Sequence, residues 1–237
     1  QIDFDLDASA EIQNGAKFVT DSQINPNIDG KIEGGICIES GEVNKLSSNG
    51  GEVTGPILID STDQIKINRL ENSSIEKLDL SSGGQVQVKA QASTINGDID
   101  IDSPSGQVKI LRNFKKSTIS GDITVTSDSQ VDINPRKTTI NGNIDATSDS
   151  QITIKPKGTT INGDIDATSD SQITIDPKKT NINGDVNITS NSQVKIRPGN
   201  QATITGDVTI DTPGGVQINC SNIEGEITVN GGSTNPC

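Results

Sequence analysis

Apolar and polar residues alternate in short runs along this chain, and the runs recur. Ile165 and Ala167 flank Asp166, Ile173 and Ile175 flank Thr174, and Ile161 lies between Thr160 and Asn162. A period of two predicts β-strands. Three consecutive units begin at Ser117, Thr138 and Thr159, and the third reads TTINGDIDATSDSQITIDPKK. A fourth begins at Thr180. Anchor residues Ile119, Ile140, Ile161 and Ile182 stand 21 residues apart, and Ile204 and Ile223 follow at 22 and 19. Upstream, Ile95, Ile75, Val53, Ile32 and Ile12 continue the series, with Leu111 to Lys116 as an insertion. Each unit predicts three short strands, near TTI, DIDAT and SQITI. The turns between them carry Asn-Gly, Ser-Asp-Ser and x-Pro-Lys. The Asn-Gly pairs at 96, 141, 162 and 183 are read as turns that need a positive φ.

Residues one unit apart must occupy equivalent places. The economical solution is one coil per unit, with parallel strands stacked on each other. The expectation is an all-β, single-domain β-solenoid over 1–237, of about ten coils with a repeat of ~21 residues. Degenerate coils fill 1–92, regular coils fill 93–230, and 231–237 is a tail. An antiparallel sandwich has no reason to repeat side-chain identity at this period. One predicted inward column is Ile99, Ile123, Ile144, Ile165, Val186, Val208 and Ile227. Its partner runs Ile101, Val125, Ala146, Ala167, Ile188, Ile210 and Val229. The next strand contributes Val108, Val131, Ile152, Ile173 and Val194, then Ile110, Ile133, Ile154, Ile175 and Ile196. Coils stack at about 4.8 Å, so ten make a rod of ~50 Å.

Composition fits a narrow rod. Only 29% of residues are hydrophobic and 1% aromatic, but 35 are Ile and 13 are Val. Few apolar residues with a net charge of −13 would otherwise suggest disorder; the regular Ile columns argue against it. His, Met, Trp and Tyr are absent, which removes histidine-based triads, His-ligated zinc and haem. The negative charge and missing aromatic platforms disfavour nucleic-acid binding. No apolar run approaches the ~18 residues that span a bilayer. Without Met, Gln1 reads as a processed or trimmed end, and removal of a secretory signal is the simplest account. Asn72 and Asn187 head glycosylation triplets.

The repeat resembles the broad class of β-solenoid proteins, such as bacterial surface adhesins, bactofilins and some ice-binding proteins. The resemblance covers nearly the whole chain and is architectural. The hexapeptide pattern of acyltransferase helices and the calcium-binding Gly-Gly-x-Gly-x-Asp nonapeptide are both absent.

The outward positions carry the candidate chemistry. One face holds two acidic columns, Asp98, Asp122, Asn143, Asp164, Asp185, Asp207 and Glu226, and Asp100, Thr124, Asp145, Asp166, Asn187 and Thr209. Stacked carboxylates repel, so something should offset them. Calcium is a candidate, with Asp98, Asp100, Asp145, Asp164, Asp166 and Asp185 as ligands. The plainer reading is a solvated acidic face relieved by the basic turn that carries Arg136, Lys137, Lys155, Lys157, Lys178 and Lys179. No other cofactor is expected. A second face is nearly uncharged. Thr94 and Asn96, Thr118 and Ser120, Thr139 and Asn141, Thr160 and Asn162, Asn181 and Asn183, and Thr203 and Thr205 form a two-column array. Such arrays resemble the flat faces of ice-binding solenoids. The plainer reading is a hydrogen-bonded ladder that stiffens the rod. Catalytic residues should occur once, whereas these carboxylates recur, so an enzyme is not expected.

Three cysteines remain. Cys220 and Cys237 are the expected disulfide, latching the tail, and Cys37 is left as a free thiol or an intermolecular link. The N-terminal Ile2, Phe4, Leu6 and Ala8 alternate as a strand that completes the first coil or adds to a neighbour. With Ile223 in the last coil, these residues are the candidate assembly contacts. The expected function is a non-enzymatic, secreted subunit of an extracellular filament or surface fibre, stacking head to tail on itself. The alternative is an ice-binding or surface-adhesion module using the Thr/Asn face.

Overall fold

The computed structural model describes residues 1–110 and 116–235. Residues 111–115 of the proposed Leu111 to Lys116 insertion, and Pro236 and Cys237, lie outside the described residues. The chain is an all-β solenoid of about eleven turns, one more than the repeats suggest. The weakly patterned first segment completes a coil of its own. Part of the tail, Ser233–Asn235, pairs in parallel with Gly215–Ile218 and extends the ladder.

A regular coil has three strands, as in Thr94–Ile95, Ile99–Ser103 and Val108–Ile110. We name the faces they build C, A and B, in chain order. Each strand pairs in parallel with its equivalent one coil on, in the predicted register: Ile119 with Ile140, Ile123 with Ile144, Val131 with Ile152. β-Branched side chains suit these pleated, half-buried strands. Their inward members are sealed. Ile140, Ile144, Ile152 and Ile154 are all 0% exposed. One continuous apolar core runs from Leu6 to Val216.

The expectation of three short strands per coil fails in the first half. Ala16–Ile28 and Ile36–Asn49 each run through faces A and B, and Glu52–Ser61 and Ser74–Ser82 each run through C and A. Bulges absorb the corners, with register shifts between Thr20 and Gln23 and between Ile24 and Asn27.

The role given to the Asn-Gly pairs is also corrected. Gly97, Gly142, Gly163 and Gly184 do not have a positive φ. They are glycines because successive coils touch there. A Cβ on Gly163 would meet the carbonyl oxygen of Gly142 at 2.5 Å and Asn143 Oδ1 at 2.6 Å. The left-handed corner lies instead at the x-Pro-Lys turn, where Lys137, Gly158 and Lys179 have φ of 51°, 63° and 51°.

Two columns of buried hydroxyls link the coils where the sequence reading saw only turns. Ser82, Ser103, Ser127, Ser190 and Thr212 are at most 2% exposed. Each donates to a carbonyl of the preceding coil: Ser103 to Gly84 at 2.6 Å, Ser127 to Gly106 at 2.6 Å, Thr212 to Ser192 at 2.7 Å. Ser148 and Ser169 do the same to Ser129 and Ser150. The same oxygens accept the amide two residues on, as Ser129 N to Ser127 Oγ at 3.1 Å. A second buried column runs Ser73, Ser93, Ser117, Thr138, Thr159 and Thr180 before face C. Both columns satisfy main-chain groups that burial would otherwise orphan.

Candidate functional site

The acidic edge is built where face C turns into face A. The close glycine approach brings each Asp side chain under the next coil. Asp98 Oδ1 accepts the amide of Asp122 at 2.9 Å, Asp122 that of Asn143 at 2.7 Å, Asp164 that of Asp185 at 2.8 Å, and Asp185 that of Asp207 at 2.8 Å. Main-chain donors therefore offset much of this column's charge. Candidate ligand Asp100 is held by Lys77 Nζ at 2.6 Å. Among the described residues, no three acidic, His or Cys side chains converge as a metal cage requires. The six calcium candidates thus form two columns that share a face.

Asp145 and Asp166 are the strained pair of the second column, opposite each other across adjacent strands. Burial, then the charge of Asp166, hold the Asp145 carboxyl above its ordinary range. One coil on, Asn187 Nδ2 donates to Asp166 Oδ1 at 2.9 Å, which shows what an amide does at this position. A carboxyl whose affinity for protons is higher folded than unfolded loses stability as pH rises through its titration. Asp145→Asn should therefore stabilise at pH 7 by about 0.5 kcal/mol, the scale of a cross-strand pair, and the gain should vanish at pH 3. Thermal melts of both chains at the two pH values check this. Elsewhere the sign reverses. Lys31 and Lys17 hold Glu33 and Glu39 below their ordinary range, so those contributions are lost as pH falls.

Face C carries the Thr/Asn array. Thr94, Thr118, Thr139, Thr160, Asn181 and Thr203 are paired coil to coil in register. In the neighbouring column the amides bond one another: Asn162 Nδ2 donates to Asn141 Oδ1 at 2.8 Å, and Asn183 Nδ2 to Asn162 Oδ1 at 2.7 Å. Asn96 and Thr205 stand exposed in the same column. The array ends toward the first coils, where Glu11, Lys31 and Glu52 occupy the equivalent places. The sequence reading missed a comparable ladder on face B. Gln151 Nε2 donates to Gln172 Oε1 at 2.8 Å, and Gln172 Nε2 to Gln193 Oε1 at 2.8 Å. The recurring Ser-Gln before each Ile run was the available signal.

The basic turn lies on the opposite edge of face C. Arg136, Lys137, Lys157, Gly158 and Lys179 line a shallow open cleft there. Lys178 is 3.5 Å from Asp176.

Cys220 is disulfide-bonded, and its expected partner Cys237 lies outside the described residues. It opens a single 3-10 turn, Cys220–Asn222, that leads into Ile223. Cys37 is a free, half-buried thiol on face A between Lys17 and Leu58. Asn72 and Asn187, which head the two glycosylation triplets, are both exposed.

The end coils hold the remaining candidates. Ile2–Leu6 pairs with Ile24–Ile28 in the main sheet and closes the first coil. Phe4 and Phe18 meet inside it with ring centroids 4.7 Å apart. Phe4, Ile12 and Phe18 are only partly buried, as are Ile223, Ile227 and Val229 at the other end. No helix among the described residues is long and apolar enough to cross a membrane. No protein-family model, curated protein or solved structure matches the chain, so its affinity to other proteins rests on architecture: it is a parallel β-solenoid.

Proposed function

We propose that this chain is a non-enzymatic structural subunit, secreted and stacked end to end in an extracellular filament or surface fibre. The observation that carries it is the state of the two end coils. The first coil's strands are paired on one side only, toward the second coil. Ile2, in the inward column of Ile24, is 45% exposed there. At the far end Ile223, Ile227 and Val229 are half-open, while Ile204, Val208 and Ile210 one coil inside are 0% exposed. Both ends present the same three-sided section with apolar centres and free strand edges.

Extending the register by one coil sets Ile223 on Ile12, Ile227 on Ala16 and Val229 on Phe18. Outside, Thr228 falls on Lys17, Asn222 on Glu11 and Glu224 on Gln13, so no like charges meet. The disulfide at Cys220 fits an oxidising, extracellular setting. Carboxylates that hold main-chain amides in coil after coil support a structural role over a catalytic one. The alternative, in which face C engages ice or another regular surface, is favoured by the in-register array and needs that face to be free.

Negative-stain microscopy at rising concentration tests the reading. Rods should lengthen in multiples of about 53 Å, eleven coils at ~4.8 Å each. Ile2→Lys, at a side chain already exposed, should shorten them without changing the circular dichroism. Monomers at every concentration would sink the proposal.

A further inference from the structure

In the regular half of the chain a basic column and an acidic column border the two edges of face C, with the remaining charges on faces A and B and the turn between them. Between Lys116 and Asp207 nine basic residues stand against eleven acidic ones, so this stretch is nearly neutral although the whole chain is strongly negative. Lys116, Arg136, Lys137, Lys157, Lys178 and Lys179 follow the corner between faces B and C. That corner is tied from coil to coil: Lys137 N donates to the Lys157 carbonyl at 2.9 Å and Gly158 N to that of Lys178 at 2.8 Å. The acidic column of Asp122, Asp164, Asp185 and Asp207 follows the other corner, fixed by the amide bonds described above. Within one coil the outward order is Lys157, Thr160, Asn162, Asp164. In the next it is Lys178, Asn181, Asn183, Asp185. Three of the six coils, those of Thr118, Thr160 and Asn181, read positive, neutral, neutral, negative across the face; the coil of Thr139 ends on Asn143, and those of Thr94 and Thr203 carry the acidic edge alone.

We propose that face C is the surface on which two copies of this chain pair side by side, parallel and with their coils level. Symmetry decides the orientation. A two-fold axis along the rods lays the basic edge of each copy on the acidic edge of the other. A two-fold axis across the rods makes them antiparallel and lays basic on basic and acidic on acidic. Only the parallel pair is charge-complementary, and the antiparallel one is penalised at both edges. Level coils also match the ~4.8 Å repeat of each rod without an axial offset. The Asn ladder and the fixed Asp column lose little freedom when covered. The face is six coils long and about four residues wide, a few hundred Å² per copy against the ~800 Å² of a standard partner surface. Pairing of single rods is therefore weak, and it multiplies wherever rods are held in line.

Cross-linking reads this directly. In a Cys37→Ser background, Asn96→Cys and Thr205→Cys place one thiol near each end of face C, and Thr174→Cys places one on face B. A short bis-maleimide should link Asn96→Cys to itself and Thr205→Cys to itself, with yields about tenfold above Thr174→Cys. A mixture of the two face C variants should give no cross-linked heterodimer beyond background. Combined Lys157→Glu, Lys178→Glu and Lys179→Glu should cut the Thr205→Cys yield about tenfold, the loss of roughly 1.4 kcal/mol. End-to-end stacking keeps equivalent thiols about 53 Å apart, beyond the reagent, so its success or failure does not change the reading. Three results overturn the proposal: hetero-linking of Asn96→Cys to Thr205→Cys in place of self-linking, yields no higher than on face B, or yields indifferent to the charge reversal. The second of these leaves face C free for ice or another surface.

Discussion

Replacing Ile173 by Ala should cost about 3–4 kcal/mol, whereas replacing Ile227 by Ala should cost about 1 kcal/mol. Ile173 is 0% exposed and is clamped in register between Ile152 and Val194. Removing its three methyl and methylene carbons leaves a void that two hydrogen-bonded neighbours cannot close. Ile227 is inward too, but only partly buried, and has a coil on one side alone. In a solenoid each coil answers mainly to its neighbours, so the same chemical change weighs less in an end coil. Urea midpoints of the two variants check the contrast. Equal costs would show that the last coil is packed as tightly as the middle, and would weaken the case for an open end.

Gly163→Ala should cost about 2–3 kcal/mol, and Gly158→Ala no more than about 1 kcal/mol. Backbone dihedrals alone predict the opposite order, because Gly158 is the one with positive φ. Space decides. The nearest atom to a Cβ on Gly158 is Lys137 Cγ at 3.6 Å, an ordinary van der Waals contact with a flexible side chain. A Cβ on Gly163 would collide with the Gly142 peptide, and the ladder fixes that peptide from both sides. Lys137 and Lys179 already hold the left-handed conformation at the positions equivalent to Gly158, which bounds its penalty. If chemical denaturation gives the two variants the same midpoint, close approach of the coils is not what keeps glycine at Gly163.

These residues also show where sequence reasoning succeeds and where it stops. The Ile columns were legible because a parallel ladder transmits identity: Ile140 must look like Ile119 and Ile161 to fill the same slot. Parity gave the faces for the same reason. The same parity extends inward to Ser127, two residues after Val125, but a hydroxyl reads as a turn residue and its carbonyl partner on Gly106 belongs to the main chain. Main-chain donors leave no trace in composition, so the amides that hold Asp98 and Asp164 could not be foreseen, and solvent with the basic turn, or calcium, stood as the candidates to offset those charges. The glycine at 163 was legible as special, but Asn-Gly signals a conformational demand more often than a collision. In the first half the corners are bulged, and a bulge is an extra residue that the alternation cannot place. The Thr/Asn array and both charged edges were readable by column; that they border one face followed only from the fold.

One small feature bears on how such a rod would carry load. Ser40 Oγ is the sole buried side-chain polar atom among the described residues without a partner. It stands where the column of serines begins, beside the two bulged strands of the first coils. Tension along the axis is shared by all the bonds that cross one junction between coils, so a rod under pull parts at its least-bonded junction and not at the average one. The junctions from Ser61 onward each gain a hydroxyl cross-tie to the preceding coil; the junction between Ser40 and the first coil does not. The first junction therefore depends on its ladder and on the outer Asn25–Asp3, Asn27–Asp5 and Lys17–Glu39 contacts, without the buried tie that the coils beyond it share.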